Sequence, residues 1–443
     1  MKHFVAKRLP RHHGPAAWAE ILGPGADPLR LESSITADLV IIGAGFAGLS
    51  AARRALQIDP ALDVVVLDAG RLAEGAAGRN SGFMIDLPHD LASEDYAGQG
   101  ASQDADLIAL NRQALAFGAS AVAEYDIAPA FFDPVGKVNG AATEAGDAHN
   151  ASYAAHLTAL GETSERLDAR EMAELTGSGH YLSGLYTPGT VMLQPGGYIR
   201  GLGAGLKQSA RIFEQSPCLG FRRDGPSWTV RTPKGQVSAA KIILATNGHL
   251  ESFGFARRRL MQLFLYASMT EDLGGDLPGA PRWGITPSDP MGTTMRRIDG
   301  PQGGDRIVTR TCATMRPGMR PSARDVARAA KVHRQKFEER FPNLSRARME
   351  FSWAGHLCLT LNGVAVTGEI ERDVYSACVQ NGLGTARGTL TGIAGAECAL
   401  GVASDITRHF AGEAPPKPLP PQPFARLGAN AYLRWKEWRA GAE

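Results

Sequence analysis

A turn of the form Gly43-x-Gly45-x-x-Gly48 lies between an apolar, β-branched run at 37–42 and an Ala/Leu-rich run at 46–58. No other feature restricts the possible folds of this chain as strongly. The run before the turn has the composition of a buried parallel strand, and the run after it suits a helix. The first glycine permits the tight turn, the second lets backbone amides approach a pyrophosphate, and the third lets helix and strand pack closely. A helix N-terminus at this point favours phosphate, so Gly43, Gly45, Phe46, Ala47 and Gly48 are nucleotide-binding candidates. Residues 63–68 read as a second strand ending in Asp68, with Ala69 next. Asp68 stands 25 residues after Gly43, near the ~20-residue offset of a carboxylate that holds ribose hydroxyls. The expectation is a βαβ dinucleotide-binding unit, which by itself does not separate NAD from FAD.

At 443 residues the chain is long enough for two domains. Helices are expected at 104–126, 142–160, 199–209, 323–341 and 389–400 from apolar spacing. Buried strands are expected at 241–245 and 374–379. The first leads into Thr246-Asn247-Gly248 and the second into a glycine-rich turn at 382–388. Between 256 and 320, alternating apolar residues and Gly/Pro turns suit an antiparallel sheet. Residues 1–36 read as an irregular lead-in, and the Pro-rich stretch 413–423 as extended.

Charge excludes some partners. There are 47 basic and 45 acidic residues, net +2, so no global field draws the chain to nucleic acid or an anionic membrane. Arg257-Arg258-Arg259 is a local run, either a solvated turn or a carboxylate or partner site. The five cysteines are scattered without CxxC or Cys/His clusters, so neither a disulfide framework nor a metal site is expected. The N-terminus lacks the apolar core of a signal peptide, and no apolar run approaches the ~20 residues of a membrane span. These features lead to the expectation of a cytoplasmic protein; oligomeric state is left open.

Shortly after Asp68 comes Gly75-Ala76-Ala77-Gly78-Arg79-Asn80-Ser81-Gly82-Phe83. At this loop the sequence resembles the D-amino-acid-oxidase-like superfamily of FAD enzymes. The resemblance implies that Gly78, Arg79, Asn80, Ser81 and Gly82 line FAD. It extends to three later places: residues 214–218, where the backbone of Cys218 would meet the adenine; Thr246-Asn247; and the turn Gly382-Leu383-Gly384-Thr385 near the flavin's pyrimidine end. Many members carry His where Leu383 stands. The resemblance runs from about residue 20 to the end and is strongest to the gamma-glutamylputrescine-oxidase-like branch. Trp353, Gly355 and Asn362 match that branch's pattern, while Ala354 and Cys358 depart from it. The tail at 418–438 resembles its ending; its aromatic and basic residues suit either a helix docked on the fold, the first reading, or a membrane-surface helix. In sarcosine-oxidase-like relatives a cysteine at the place of Cys358 bonds covalently to the flavin. Non-covalent FAD is the first reading here and a link through Cys358 the second.

The fold expected is α/β: a Rossmann-type FAD-binding domain with a second α+β substrate domain built on an antiparallel sheet. The FAD domain is placed at 30–100, 190–250 and 350–412, the substrate domain at 101–189 and 251–349. Residues 1–29 form the lead-in and 413–443 the tail. The activity the resemblance implies is oxidation of a C–N bond in a small amine or amino-acid-like substrate. A flavin takes the hydride at N5 and the imine product hydrolyses. Trp353, His356, Met84 and Arg79 are the candidates at the flavin face; no Ser/His/Asp set is present. Reoxidation by oxygen is the first reading. The alternatives are a dehydrogenase that passes electrons to a quinone or carrier, and an FAD-bearing binding protein with little turnover.

Overall fold

The computed structural model describes residues 2–88, 101–275, 277–289 and 291–443, with side chains of the helix Ala101–Glu124 from 103 onward. The part of the expected FAD domain at 89–100 lies outside the described residues. Strand Ser34–Ile42, buried from Leu39 onward on both faces, pairs in parallel with Val64–Leu67 on one side and Gln236–Leu244 on the other. This trio is the centre of a nine-stranded sheet. Arg211–Phe213 forms one edge, and the meander Gly220–Asp224, Ser227–Arg231 leads to the other. Val374–Cys378 also pairs with Gln236–Leu244, in parallel.

The helix Phe46–Ile58 follows the first strand, as its Ala-rich text requires, and packs against Ala386–Leu400. Small residues make this contact nearly backbone to backbone. A Cβ on Gly392 would lie 2.2 Å from the carbonyl of Ala47, and one on Gly48 would lie 1.7 Å from the carbonyl of Gly43. The third glycine of the turn therefore serves packing.

The second sheet has eight strands: Met349–Leu359, Met261–Thr270, Arg306–Met315, Thr294–Ile298, Trp283–Pro287, Lys137–Ala141, Ser183–Thr187 and Glu165–Asp168, in that order. Two of its pairings bear on the expectations. Met349–Leu359 pairs with Met261–Thr270 over its whole length, so residues 350–359, placed in the expected FAD domain, are strand partners within this sheet. The pairing of Trp283–Pro287 with Lys137–Ala141 is parallel, so the sheet is mixed. Phe83–Met84, Val191–Leu193 and Phe132–Asp133 form a further small sheet.

The helices stand close to where they were expected. The largest shift is Pro195–Leu206, four residues early: Pro195 occupies its first turn and Gln194 caps it by accepting from Gly197 N. The lead-in is a correction. His3–Val5 pairs antiparallel with Gly220–Asp224 as an edge strand of the large sheet, and Ala17–Glu20 is a short helix with Trp18 fully buried. The tail follows expectation in part: Phe424–Ala440 is a helix docked on the second sheet, where Asn430 and Glu437 accept from the amides of Met315 and Ala313. Among the described residues, no helix is long and apolar enough to cross a membrane.

Candidate functional site

The turn after the first strand has the geometry its glycines imply. Gly43 has φ +108°, and a Cβ there would lie 2.5 Å from the Ala245 carbonyl. The helix it opens has extended Gly45 at its cap and no side chain closing its first turn, so the amide end faces the cleft. Asp68 leaves the end of Val64–Leu67 beside it. Its carboxylate accepts from Ala44 N at 2.7 Å and Gly70 N at 2.9 Å. Burial nonetheless pushes the carboxyl up to about 6, with Glu214 and Glu74 adding to the rise and the two amides opposing it.

The loop 78–82 is held from outside by its carbonyls. Arg79 O accepts from Trp353 Nε1 (3.0 Å), Asn80 O from Trp18 Nε1 (2.8 Å), and Ser81 O and Gly82 O from Arg296 (3.3 and 3.4 Å). Gly82 is at φ +81° with the Arg296 guanidinium where a side chain would stand. The Arg79 guanidinium donates to the carbonyls of Glu74, His13, Gly14 and Ala354, which ties the loop to the lead-in.

These contacts correct part of the flavin-face assignment. Trp353 is 1% exposed, does not line the cleft, and acts on the loop through its indole N–H. Met84 is fully buried in the core, packed among residues such as Leu110, Ala114 and Leu193, because its short strand turns that side chain away from the cleft. Of the face candidates, His356 and Arg79 line the cleft.

Gly43, Gly45, Phe46, Ala47, Asp68, Ala69, Arg79, Asn80, Ser81, Cys218, Thr246, Asn247, Gly382 and Gly384 come together around one cleft. It encloses about 300 Å³ and is partly open to solvent, within the roughly 300–1,000 Å³ of a small-ligand pocket. Gly48, Gly78 and Gly82 pack behind the wall. Leu383 and Thr385 do not line it; the Thr385 hydroxyl donates to Phe83 O at 2.7 Å and braces the glycine turn. Asn247, at φ +47°, leaves a buried Oδ1 without a partner at the rim. A phosphate-binding turn, a carboxylate beside it, and an open acceptor along one groove suit a dinucleotide such as FAD. Among the described residues, no group of three His, Cys, Asp or Glu is arranged to hold a metal.

The facing wall comes from the second sheet: Phe264, Leu265, Tyr266, Arg310, Gly355, His356 and Cys358. His356 stacks on Phe264 at 5.1 Å and meets His249 edge-on at 5.5 Å. The amide of Gln262 donates to Gly248 O and Glu251, both acceptors only, so its Oε1 faces His356 Nε2 at 2.9 Å. That pairing requires a proton on Nε2 and leaves Nδ1 as an acceptor. Burial lowers His356 to about 3, helped by neighbouring His249 and His12, which burial lowers to about 4 each. All three imidazoles are neutral at pH 7. Cys358 is fully buried, and burial raises its thiol well above the usual cysteine range.

One component escaped sequence reasoning. Ala6, Arg8, Leu9, Pro10, Arg11 and His12 line the cleft. The segment is fastened to the large sheet by Ala6 N to Leu219 O (2.9 Å) and to the second sheet by Ala354 N to His13 O (3.0 Å). Gly14, at φ +75°, allows it to pass within 2.2 Å of the Ser352 carbonyl as measured from an ideal Cβ. Its only sequence signal was that glycine. Trp18 and Arg296 were missed for the same reason: their partners are backbone carbonyls, which no side-chain motif reveals.

Comparison with known proteins agrees with this geometry. The sequence model of the family described as FAD dependent oxidoreductase (DAO) matches residues 38–398. The chain is 25% identical over 427 residues to gamma-glutamylputrescine oxidoreductase of Escherichia coli K12, covering 91% of this chain and 93% of that one. Among solved structures, glycine oxidase from Geobacillus kaustophilus superimposes with a TM-score of 0.68 at 17% identity, covering 84% of this chain and 96% of the other. An L-amino acid deaminase from Proteus vulgaris gives 0.64 at 15% identity, covering 86% and 93%.

Proposed function

The chain belongs to the FAD dependent oxidoreductase family, and from that premise we propose that it oxidises the C–N bond of a small amine or amino-acid-like substrate. The observation that carries this reading is the cleft itself. One side is amide-rich with Asp68, the other is aromatic and imidazole-lined, and both border the same space. FAD, when bound, supplies the acceptor for the two electrons and the hydrogen removed from the substrate carbon.

The first side holds the cofactor. The amide end at Gly45 and Phe46 binds the diphosphate, Asp68 the ribose hydroxyls, and the backbone at Cys218 the adenine side. Gly382 and Gly384 border the opposite end. The facing wall acts on the substrate. Phe264, Tyr266 and neutral His356 exclude water and favour the uncharged amine, the form whose lone pair can assist loss of hydride. Nδ1 of His356 accepts from the substrate N–H, with Gln262 fixing the tautomer. The unfavourable ionisation of Cys358 supports non-covalent FAD, since bond formation at that sulfur needs the thiolate. The relatives' names support an amine or amino-acid-like substrate, and the free state of the five cysteines supports a reducing compartment such as the cytoplasm.

Oxygen is the first reading for the electron acceptor. A second has a specific observation in its favour: some members of the resembled superfamily use a lysine near the flavin to promote reaction with oxygen, and no lysine lines the cleft among the described residues. Under it, electrons pass to a quinone or carrier. The test is anaerobic mixing of the purified yellow protein with polyamines, N-methyl amino acids and amino acids. One of these is expected to bleach the flavin absorbance, and hydrogen peroxide on admitting air marks the oxidase. A flavin that no amine reduces would remove the proposal and leave a binding role.

A further inference from the structure

The C-terminal helix Phe424–Ala440 is apolar on two opposite sides. Its inner side is accounted for: Ala425, Ala429 and Leu433 pack on Leu263, Met315 and Leu419, and Lys436 and Ala440 are buried. Its outer side carries Phe424, Leu427, Trp435 and Trp438, which fall along one stripe at helical spacing. They are 70%, 59%, 45% and 78% exposed, and Tyr432 beside them is 50% exposed. Anchoring the helix requires none of this surface. A contiguous exposed aromatic stripe of this kind marks an interaction face.

Charge selects the occupant. The exposed residues Arg426 and Arg439 flank the stripe. The helix's single acid, Glu437, is turned inward, where it bonds Ala313 N, Arg328 and Arg434. The adjoining turn adds exposed Arg257 and Arg258, and is fixed to the tail by Leu419 N donating to Arg258 O at 2.7 Å. Exposed Lys417 lies two residues before that bond. A second copy of the same face would set arginines against arginines. An anionic, apolar-cored surface satisfies both features, because tryptophans seat at the level of lipid headgroups while arginines meet their phosphates. We propose that the outer face of the helix Phe424–Ala440 docks the protein on the surface of a membrane that contains anionic lipid. The chain lies on the bilayer and does not cross it.

The experiment is vesicle flotation of the full-length, FAD-loaded protein at low ionic strength. One vesicle population is dioleoylphosphatidylcholine alone; the other is an equal mixture with dioleoylphosphatidylglycerol. The wild type is expected to float with the mixed vesicles and remain behind with the neutral ones. Phe424→Ser with Trp438→Ser should lower the bound fraction about tenfold or more, from the apolar area withdrawn. Flavin spectrum and unfolding temperature should be unchanged. A charge pair, Arg426→Glu with Arg439→Glu, should abolish flotation independently and decides the matter if the serine pair does not fold. Wild type that ignores the mixed vesicles would overturn the proposal, as would variants that float like wild type. So would a wild-type dimer in sedimentation equilibrium that the serine pair converts to monomer, which would assign the face to a second copy.

Discussion

In its proposed role Asp68 suits a ribose at the expense of the FAD-free protein. Its folded pKa, about 6, lies above the ordinary 3.8. A carboxyl raised in this way opposes folding when ionised, and the penalty is relieved as pH falls through 6 toward 3.8. Asp68→Asn removes that penalty but sets an NH2 against one of the Ala44 and Gly70 amides, so the two effects offset and the FAD-free protein should keep its stability at pH 7 to within about 1 kcal/mol. The same change should weaken FAD binding about tenfold or more, because the ionised oxygens are the better ribose acceptors. Thermal unfolding of the apoprotein and fluorescence titration with FAD measure stability and affinity, and an apoprotein whose stability moves well beyond that margin would count against this reading. Wild-type affinity for FAD should also fall as pH drops below about 6. The histidines carry the opposite sign. His12, His249 and His356 have folded pKa values lowered to about 4, 4 and 3. The unfolded chain takes up protons first, so stability is lost as pH falls from about 6.5 toward 4. His249→Gln should flatten that limb of an unfolding-temperature profile; an unchanged slope would mean the imidazole is not buried neutral.

At the scale of elements, the βαβ unit was legible because its physics is local. Gly43, Gly45 and Gly48 act within a few residues of one another, and the flanking runs announce strand and helix by composition. The loop 78–82 was legible as a pattern, but not in how it is held, since its carbonyls are bound by Trp18, Arg296 and Trp353 from three distant places. Trp353 was singled out for the wrong surface for that reason. Trp353→Phe keeps the ring and removes the N–H. It should leave the Arg79 carbonyl unpaired at about 1–2 kcal/mol and loosen FAD more than it alters the fold. A rise in FAD Kd with a small change in unfolding temperature is the expected pattern; equal loss of both would make the tryptophan a core residue only. Met84 was misplaced because a two-residue strand has too little alternation to show which side is inward.

At the scale of the whole molecule, two sheets face a shared cleft and the lead-in runs across it. The first sheet was readable from its hydrophobic runs. The pairing of Met349–Leu359 was not, because it alternates like any strand and its neighbour Met261–Thr270 lies about 90 positions away. The segment 6–12 had neither periodicity nor motif, yet it borders the cleft with fastenings at both ends. Removing residues 2–12 should leave a folded protein that loses FAD faster on dilution, read by the return of free-flavin fluorescence; an unchanged release rate would deny the segment any part in the site. The central claim is that a single cleft holds FAD against Asp68 and the Gly45 amide end, with the His356 wall opposite. Diffraction from crystals grown with FAD tests it most directly. The diphosphate is expected on the amides of Gly45 and Phe46, the ribose on Asp68, and the isoalloxazine ring between residues 78–82 and His356. FAD bound elsewhere, or a cleft closed by its own side chains, would contradict it.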